Sequence, residues 1–263
     1  MNNVVQDFFG LSRMPFSKNI PPQEVFKSRA HEEALARLEY GVRDEDMLLL
    51  TGPIGSGKSL TLKSFIHSLD TNRYTPIYLR GNNLSESDLF KTVLVGLDIK
   101  PPHFPQAAKL LFFKTVPELT KKPVIIIDDS QELKDSALYA IKSMTNFDYD
   151  TDNKITFILA GQPELKAILK LKKFLSLKQR IRLFFHMTSL SLEETCGYID
   201  HNIKICGNQN SIFSDDAKNK IHLYSEGIPR KINSVCYRSV LNAAIKAQSI
   251  IDPSNIMLED PTE

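Results

Sequence analysis

Gly52-Pro53-Ile54-Gly55-Ser56-Gly57-Lys58-Ser59 lies between a short apolar run, 47–50, and a helix-like pattern over 60–69. It fits G-x-x-x-x-G-K-[ST] in the strand, loop and helix setting that a phosphate-binding loop requires. Glycines let backbone N–H groups turn inward on a phosphate, and the following helix adds its positive end. The Lys58 ammonium then reaches the β- and γ-phosphates, while the Ser59 hydroxyl ligates Mg2+. The expected nucleotide contacts are Gly52, Pro53, Ile54, Gly55, Ser56, Gly57, Lys58, Ser59 and the adjoining Leu60, and the expected cofactors are ATP and Mg2+. A glycine-rich turn without a ligand is the bland alternative, and the flanking pattern argues against it.

Working outward, apolar β-branched runs recur at 47–50, 76–79, 124–127, 155–160 and 181–186. Most are unbroken by polar residues, as strands buried on both faces are. Helix-like patterns at 60–69, 87–97 and 136–145 fall between them, so strand and helix alternate and predict an α/β fold with a parallel sheet flanked by helices. After Ser191 the strand signals stop, and 193–206, 215–224 and 230–247 read as helices of a small C-terminal domain. Ser191 caps the first of these, with Glu193 and Glu194 at its positive end. Gly227-Ile228-Pro229 breaks the chain before the last, where proline suits the first turn. The expected division is 1–44 as an N-terminal segment and helix packing on the nucleotide site, 45–188 as the α/β domain, 189–252 as a helical lid and 253–263 as a tail.

Val124-Ile125-Ile126-Ile127-Asp128-Asp129 reads as a buried strand ending in two carboxylates. Alone, such an end is usually a turn; with a phosphate loop in the same sheet, Asp128 is a candidate to hold Mg2+ and Asp129 to polarise the attacking water. Ile158-Leu159-Ala160-Gly161-Gln162 ends another strand at the edge where ligands sit in open α/β sheets. Gln162 is therefore either a γ-phosphate sensor or a loop side chain in solvent. Arg180 and Arg230 either reach phosphate or form surface ion pairs.

The 263 residues are 42% hydrophobic and 24% charged, and they contain no run of apolar residues long enough for a membrane span. No secretory leader pattern is visible at the N-terminus, so a cytoplasmic location is expected. The three cysteines, Cys196, Cys206 and Cys236, are too far apart for a paired metal site and are expected to be reduced core residues. Phe8-Phe9-Gly10-Leu11 and Met14-Pro15-Phe16 concentrate aromatics with little periodicity; they either staple the N-terminus to the core or cover an adenine ring. A net charge of +2 argues against a strongly positive overall field. Yet 165–192 holds Lys166, Lys170, Lys172, Lys173, Lys178, Arg180 and Arg182 with no acidic residue, which is either a solvated face or a phosphate-binding surface.

Taken in order, Phe8-Phe9-Gly10-Leu11 with Pro15-Phe16, His31-Glu32-Glu33-Ala34-Leu35, the phosphate loop, Ile127-Asp128-Asp129-Ser130-Gln131, Gly161-Gln162-Pro163-Glu164-Leu165, Gln179-Arg180-Ile181 and Gly227-Ile228-Pro229-Arg230-Lys231-Ile232-Asn233 resemble the ExeA/GspA-type AAA+ ATPases. The resemblance covers residues 8 to about 250. It implies a P-loop NTPase of the AAA+ class with five strands in the order 5-1-4-3-2, a helical lid, and ATP bound between subunits of a homo-oligomer, ring or helical filament. By this analogy Gln162 corresponds to sensor 1, Arg180 to the arginine finger and Arg230 to sensor 2. The family's second acidic residue is usually glutamate where this chain has Asp129, one methylene shorter, which implies slow hydrolysis. Secretion members continue into a membrane span and a peptidoglycan-binding domain that this sequence does not show. That shifts the expectation toward the similar IstB, TniB and TnsC helpers, which assemble on double-stranded DNA and engage a transposase or targeting protein. Arg80, Asn82, Lys166, Lys170, Lys172 and Lys173 are the candidate DNA contacts. A secretion-type assembly ATPase acting on protein partners is the alternative.

Overall fold

The computed structural model describes residues 2–17, 20–44, 47–147 and 153–258. Five strands, β1 (Met47–Thr51), β2 (Tyr74–Arg80), β3 (Lys122–Asp128), β4 (Thr156–Gly161) and β5 (Ile181–His186), form one sheet. The helices are α1 (Asn2–Phe9), α2 (Arg29–Asp44), α3 (Lys58–Ser68), α4 (Glu86–Gly96), α5 (Pro105–Thr115), α6 (Asp135–Met144), α7 (Glu164–Lys170), α8 (Leu175–Lys178), α9 (Leu192–Lys204), α10 (Asp215–Ser225) and α11 (Pro229–Ile245). The chain divides into two compact units, Glu33–Ile54 with Lys58–Met187, and Met1–Glu32 with Gly55–Gly57 and Thr188–Glu263.

The first unit is built on the sheet, whose strands run β2-β3-β4-β1-β5 and are parallel throughout. Read from the opposite edge this is 5-1-4-3-2, the order the resemblance implies. Successive side chains of a strand point to opposite faces, so β3 feeds two cores at once. Ile125 and Ile127 join Leu89, Phe90, Phe112 and Leu138 on one side. Val124 and Ile126 join Leu38, Leu62 and Phe65 on the other. A strand buried on both faces has no place for polar residues, which is why it reads as an unbroken apolar run. Phe65 is fully buried, and truncating such a side chain to alanine costs ~3–5 kcal/mol. The α4 helix starts at Ser85, whose hydroxyl accepts from the Asp88 N–H while the Asp88 carboxylate accepts from the Ser85 N–H. The Ser85 hydroxyl and then its N–H both donate to the Asp88 carboxylate and hold it below its usual range.

In the second unit, α1, α9, α10 and α11 bury Val5, Phe9, Ile199, Ile221, Val235 and Val240 together. The N-terminal aromatics show little periodicity as a sequence, yet residues 2–9 are helical. Val5 and Phe9, four apart, lie on one face of that short helix, and Phe9, Leu11 and Phe16 sit in this unit's core. Ser191 caps α9 with Glu194 as its partner, and α11 opens on Pro229. Cys206 and Cys236 are buried, Cys196 is half-buried, and all three are free thiols. Phe213 bridges Ile251 near the end of the expected lid, and residues 253–255 of the expected tail form a 3-10 turn. Residues 259–263 lie outside the described residues. Among the described residues no helix is long and apolar enough to cross a membrane.

Candidate active site

β1, β3 and β4 are neighbours, so the loops leaving their C-terminal ends converge. Thr51 pairs with Gly161, and the Gly52 N–H donates to the Gly161 carbonyl at 3.3 Å. From there the chain turns through Gly55 (φ 82°) and Gly57 (φ 100°) into α3. Those backbone angles are ones that glycine alone adopts without strain. Lys58 is 8% exposed, and its ammonium donates to the Gly52 and Pro53 carbonyls at 2.7 and 2.8 Å. Ser56 Oγ is buried and without a hydrogen-bond partner. An orphaned buried hydroxyl costs ~1–3 kcal/mol, and a phosphate oxygen would satisfy it. The loop therefore fits a polyphosphate. Ile54 is exposed, while Pro53 and Leu60 are half-buried.

Ser59 Oγ donates to Asp128 Oδ2 at 2.6 Å, and Asp128 Oδ1 accepts the Asp129 N–H at 2.9 Å. A hydroxyl and a carboxylate in contact are hard oxygen donors of the type Mg2+ takes. Among the described residues no group of three His, Cys, Asp or Glu side chains is arranged for a metal. A Mg2+ ion held by these two side chains would fill the rest of its octahedral shell with waters and phosphate oxygens.

Sequence reading missed Tyr78. Its hydroxyl donates to Asp128 Oδ2 at 2.9 Å from the adjacent strand β2. Burial and then the Asp128 charge push the phenol up to about 12, with Arg80 opposing, so it stays a proton donor. The available signal was positional: β2 and β3 pair in parallel with Arg80 opposite Asp128, placing Tyr78 on the Asp128 face.

Asp129 is left-handed, at φ 52° and ψ 41°, a region that aspartate tolerates better than most residues. Its carboxylate accepts from the Gln131 amide at 3.3 Å. The other end of Gln131 accepts the Gln162 N–H at 3.0 Å. Sequence reading placed Gln162 at a strand end, and the structure puts it half-buried there, joined through its backbone to the Asp129 turn.

Arg180 is half-buried and donates to Thr145 Oγ1 at 3.2 Å at the end of α6. Arg230 is exposed, and its backbone N–H donates to the Gly55 carbonyl at 3.3 Å. Arg80 and Asn82 are exposed at the end of β2. On α7 and the turn after it, Lys166 is half-buried and Lys170, Lys172 and Lys173 are exposed, Lys173 pairing with Asp135.

The sequence of residues 42–169 matches the family described as AAA domain. The chain carries an AAA domain. Around it, the chain is 30% identical over 259 residues to the General secretion pathway protein A of Aeromonas hydrophila, covering 95% of this chain and 47% of that protein. The chain thus spans about half the length of that curated relative. The AAA fold is shared with Cdc6p from Pyrobaculum aerophilum, at TM-score 0.73 and 17% identity over 91% of this chain and 68% of that one. It is shared with a chain of Drosophila ORC bound to DNA, at TM-score 0.64 and 15% identity over 96% and 63%. The RuvB Holliday junction branch migration motor of Thermotoga maritima superposes at TM-score 0.57 and 18% identity over 88% and 67%.

Proposed function

We propose that this AAA domain binds ATP with Mg2+ and hydrolyses it slowly, using the nucleotide state to control assembly of copies of the chain into a ring or filament that engages a partner. The observation that carries this is the contact of Ser59 with Asp128 at 2.6 Å beside the buried Lys58. Lys58 neutralises the β- and γ-phosphates, trading loop carbonyls for phosphate oxygens. Ser59 and Asp128 hold the cation, which supplies charge neutralisation on the phosphate oxygens when bound. Asp129 orients the attacking water, and its shorter reach than glutamate keeps turnover low. Gln162 senses the γ-phosphate from the β4 end. Arg180 acts as the finger toward a neighbouring subunit's nucleotide, and Arg230 reports nucleotide state.

The partner reading with the widest support is a protein. Similarity over 95% of the chain to the General secretion pathway protein A favours an assembly ATPase of the secretion type. A second reading, a DNA-bound regulator that recruits a transposase, is favoured by the exposed Lys170, Lys172, Lys178 and Arg182, and by the fold shared with ORC bound to DNA. Basic side chains gripping phosphates make such binding fall steeply with salt. A gel shift on duplex DNA with an ATP analogue separates the two, since absence of a complex at low salt removes the DNA reading. For the nucleotide itself, calorimetry with ATP and Mg2+ should give binding that Lys58→Ala abolishes. Equal heats for the two proteins would reject the site.

A further inference from the structure

Asp128 is 3% exposed, and each of its oxygens is held by a donor from a different part of the chain. The Asp129 N–H takes Oδ1 at 2.9 Å; Ser59 and Tyr78 share Oδ2 at 2.6 and 2.9 Å. We propose that Tyr78 is a positioning residue for the divalent cation, its hydroxyl fixing the carboxylate that holds the metal beside Ser59. The inference rests on the nucleotide reading above and deepens it.

The carboxylate cannot rotate about its Cβ–Cγ bond without giving up one of these donors. The Asp129 donor is a backbone N–H at the end of β3, and the Tyr78 hydroxyl is carried by β2, which pairs in register with β3. A ring recruited only for packing would be enclosed, whereas the Tyr78 side chain is 42% exposed and its hydroxyl is the part committed to a buried acid. Arg80, two residues along the same face of β2, is paired opposite Asp128. Groups that hydrogen-bond a metal-ligating carboxylate set its orientation, and losing one typically weakens metal binding about 10- to 100-fold.

Tyr78→Phe keeps the ring and removes only the donor. With the full chain and a non-hydrolysable ATP analogue, Mn2+ titrated by electron paramagnetic resonance should bind Tyr78→Phe at least about tenfold more weakly than wild type. Affinity for the analogue in EDTA and the thermal midpoint should not change. Wild-type Mn2+ affinity in the variant would overturn the proposal. So would an equal loss of analogue affinity in EDTA, which assigns Tyr78 to loop structure instead. Should the variant melt early, the Mg2+ concentration for half-maximal turnover, compared with kcat on the folded fraction at low temperature, decides: an unchanged midpoint overturns the role. If wild type itself binds no Mn2+ with the analogue, the nucleotide reading fails, a result distinct from either of these.

Discussion

Gln131 holds Asp129 from two residues along the chain, its amide N–H donating to the carboxylate at 3.3 Å while its carbonyl oxygen accepts the Gln162 N–H at 3.0 Å. One side chain thereby ties the acid at the end of β3 to the loop leaving β4. Space enforces this bridge: a Cβ on Gly161 would stand 2.5 Å from Gln131 Oε1.

Gln131→Leu should therefore leave ATP binding near wild type and lower turnover by up to about a hundredfold, the loss expected when a catalytic group moves by about 1 Å. Phosphate release alongside fluorescent-nucleotide titration separates the two effects. Equal turnover would mean that Asp129 needs no such support.

The left-handed conformation of Asp129 makes its substitutions informative. Asparagine tolerates that backbone as aspartate does. Asp129→Asn should keep full thermal stability, lose hydrolysis and accumulate the ATP-bound assembly in size-exclusion chromatography. Asp129→Glu tests reach: turnover should rise if the missing methylene limits the reaction, at a small cost in stability from a less tolerant side chain. A fall in turnover would refute the reach argument.

Gly81 is held against the neighbouring strand end. Its N–H donates to the Asp128 carbonyl at 2.8 Å, and a Cβ there would lie 2.3 Å from the Asp129 carbonyl oxygen and 3.0 Å from its carbon. Both obstacles are backbone and cannot swing away. Gly81→Ala should lower the free energy of unfolding by ~1–3 kcal/mol, read from urea titration. A wild-type midpoint would show that the strand ends separate freely.

Burial pushes the His31 imidazole below its ordinary value of 6.5, with Glu32 opposing and Lys27 adding to the effect. The unfolded chain then binds the proton more readily than the folded one. Between the lowered value and about 6.5 the unfolding free energy therefore rises with pH; this contribution is complete above about 6.5 and is lost as pH falls below it. His31→Gln should flatten the stability difference between about pH 7.5 and about pH 5.5 in paired urea titrations. An unchanged slope would place the acid sensitivity elsewhere.

Much of this protein was open to reading in one dimension. The phosphate loop is eight consecutive residues whose shape follows from glycine stereochemistry. Strands β1, β3 and β4 announced themselves because burial on both faces excludes polar residues, whereas the edge strands β2 and β5 keep exposed positions. Helix α5 escaped notice because only Ala108 and Phe112 on it are buried while Leu110 stays exposed, which blurs its period. The α1 helix escaped for a related reason, being too short for its Val5 and Phe9 pair to stand out.

Local pattern, then, determined that there is a nucleotide loop at the edge of a parallel sheet, since glycine angles and strand burial are written in neighbouring residues. Tertiary structure alone decided what surrounds Asp128 and Asp129. Ser59 reaches Asp128 across 69 positions, Tyr78 reaches it across 50, and Gln162 meets Gln131 across 31. Such meetings depend on strand order and register, which arise when the sheet closes and both of its cores fill, and no window of adjacent residues encodes them.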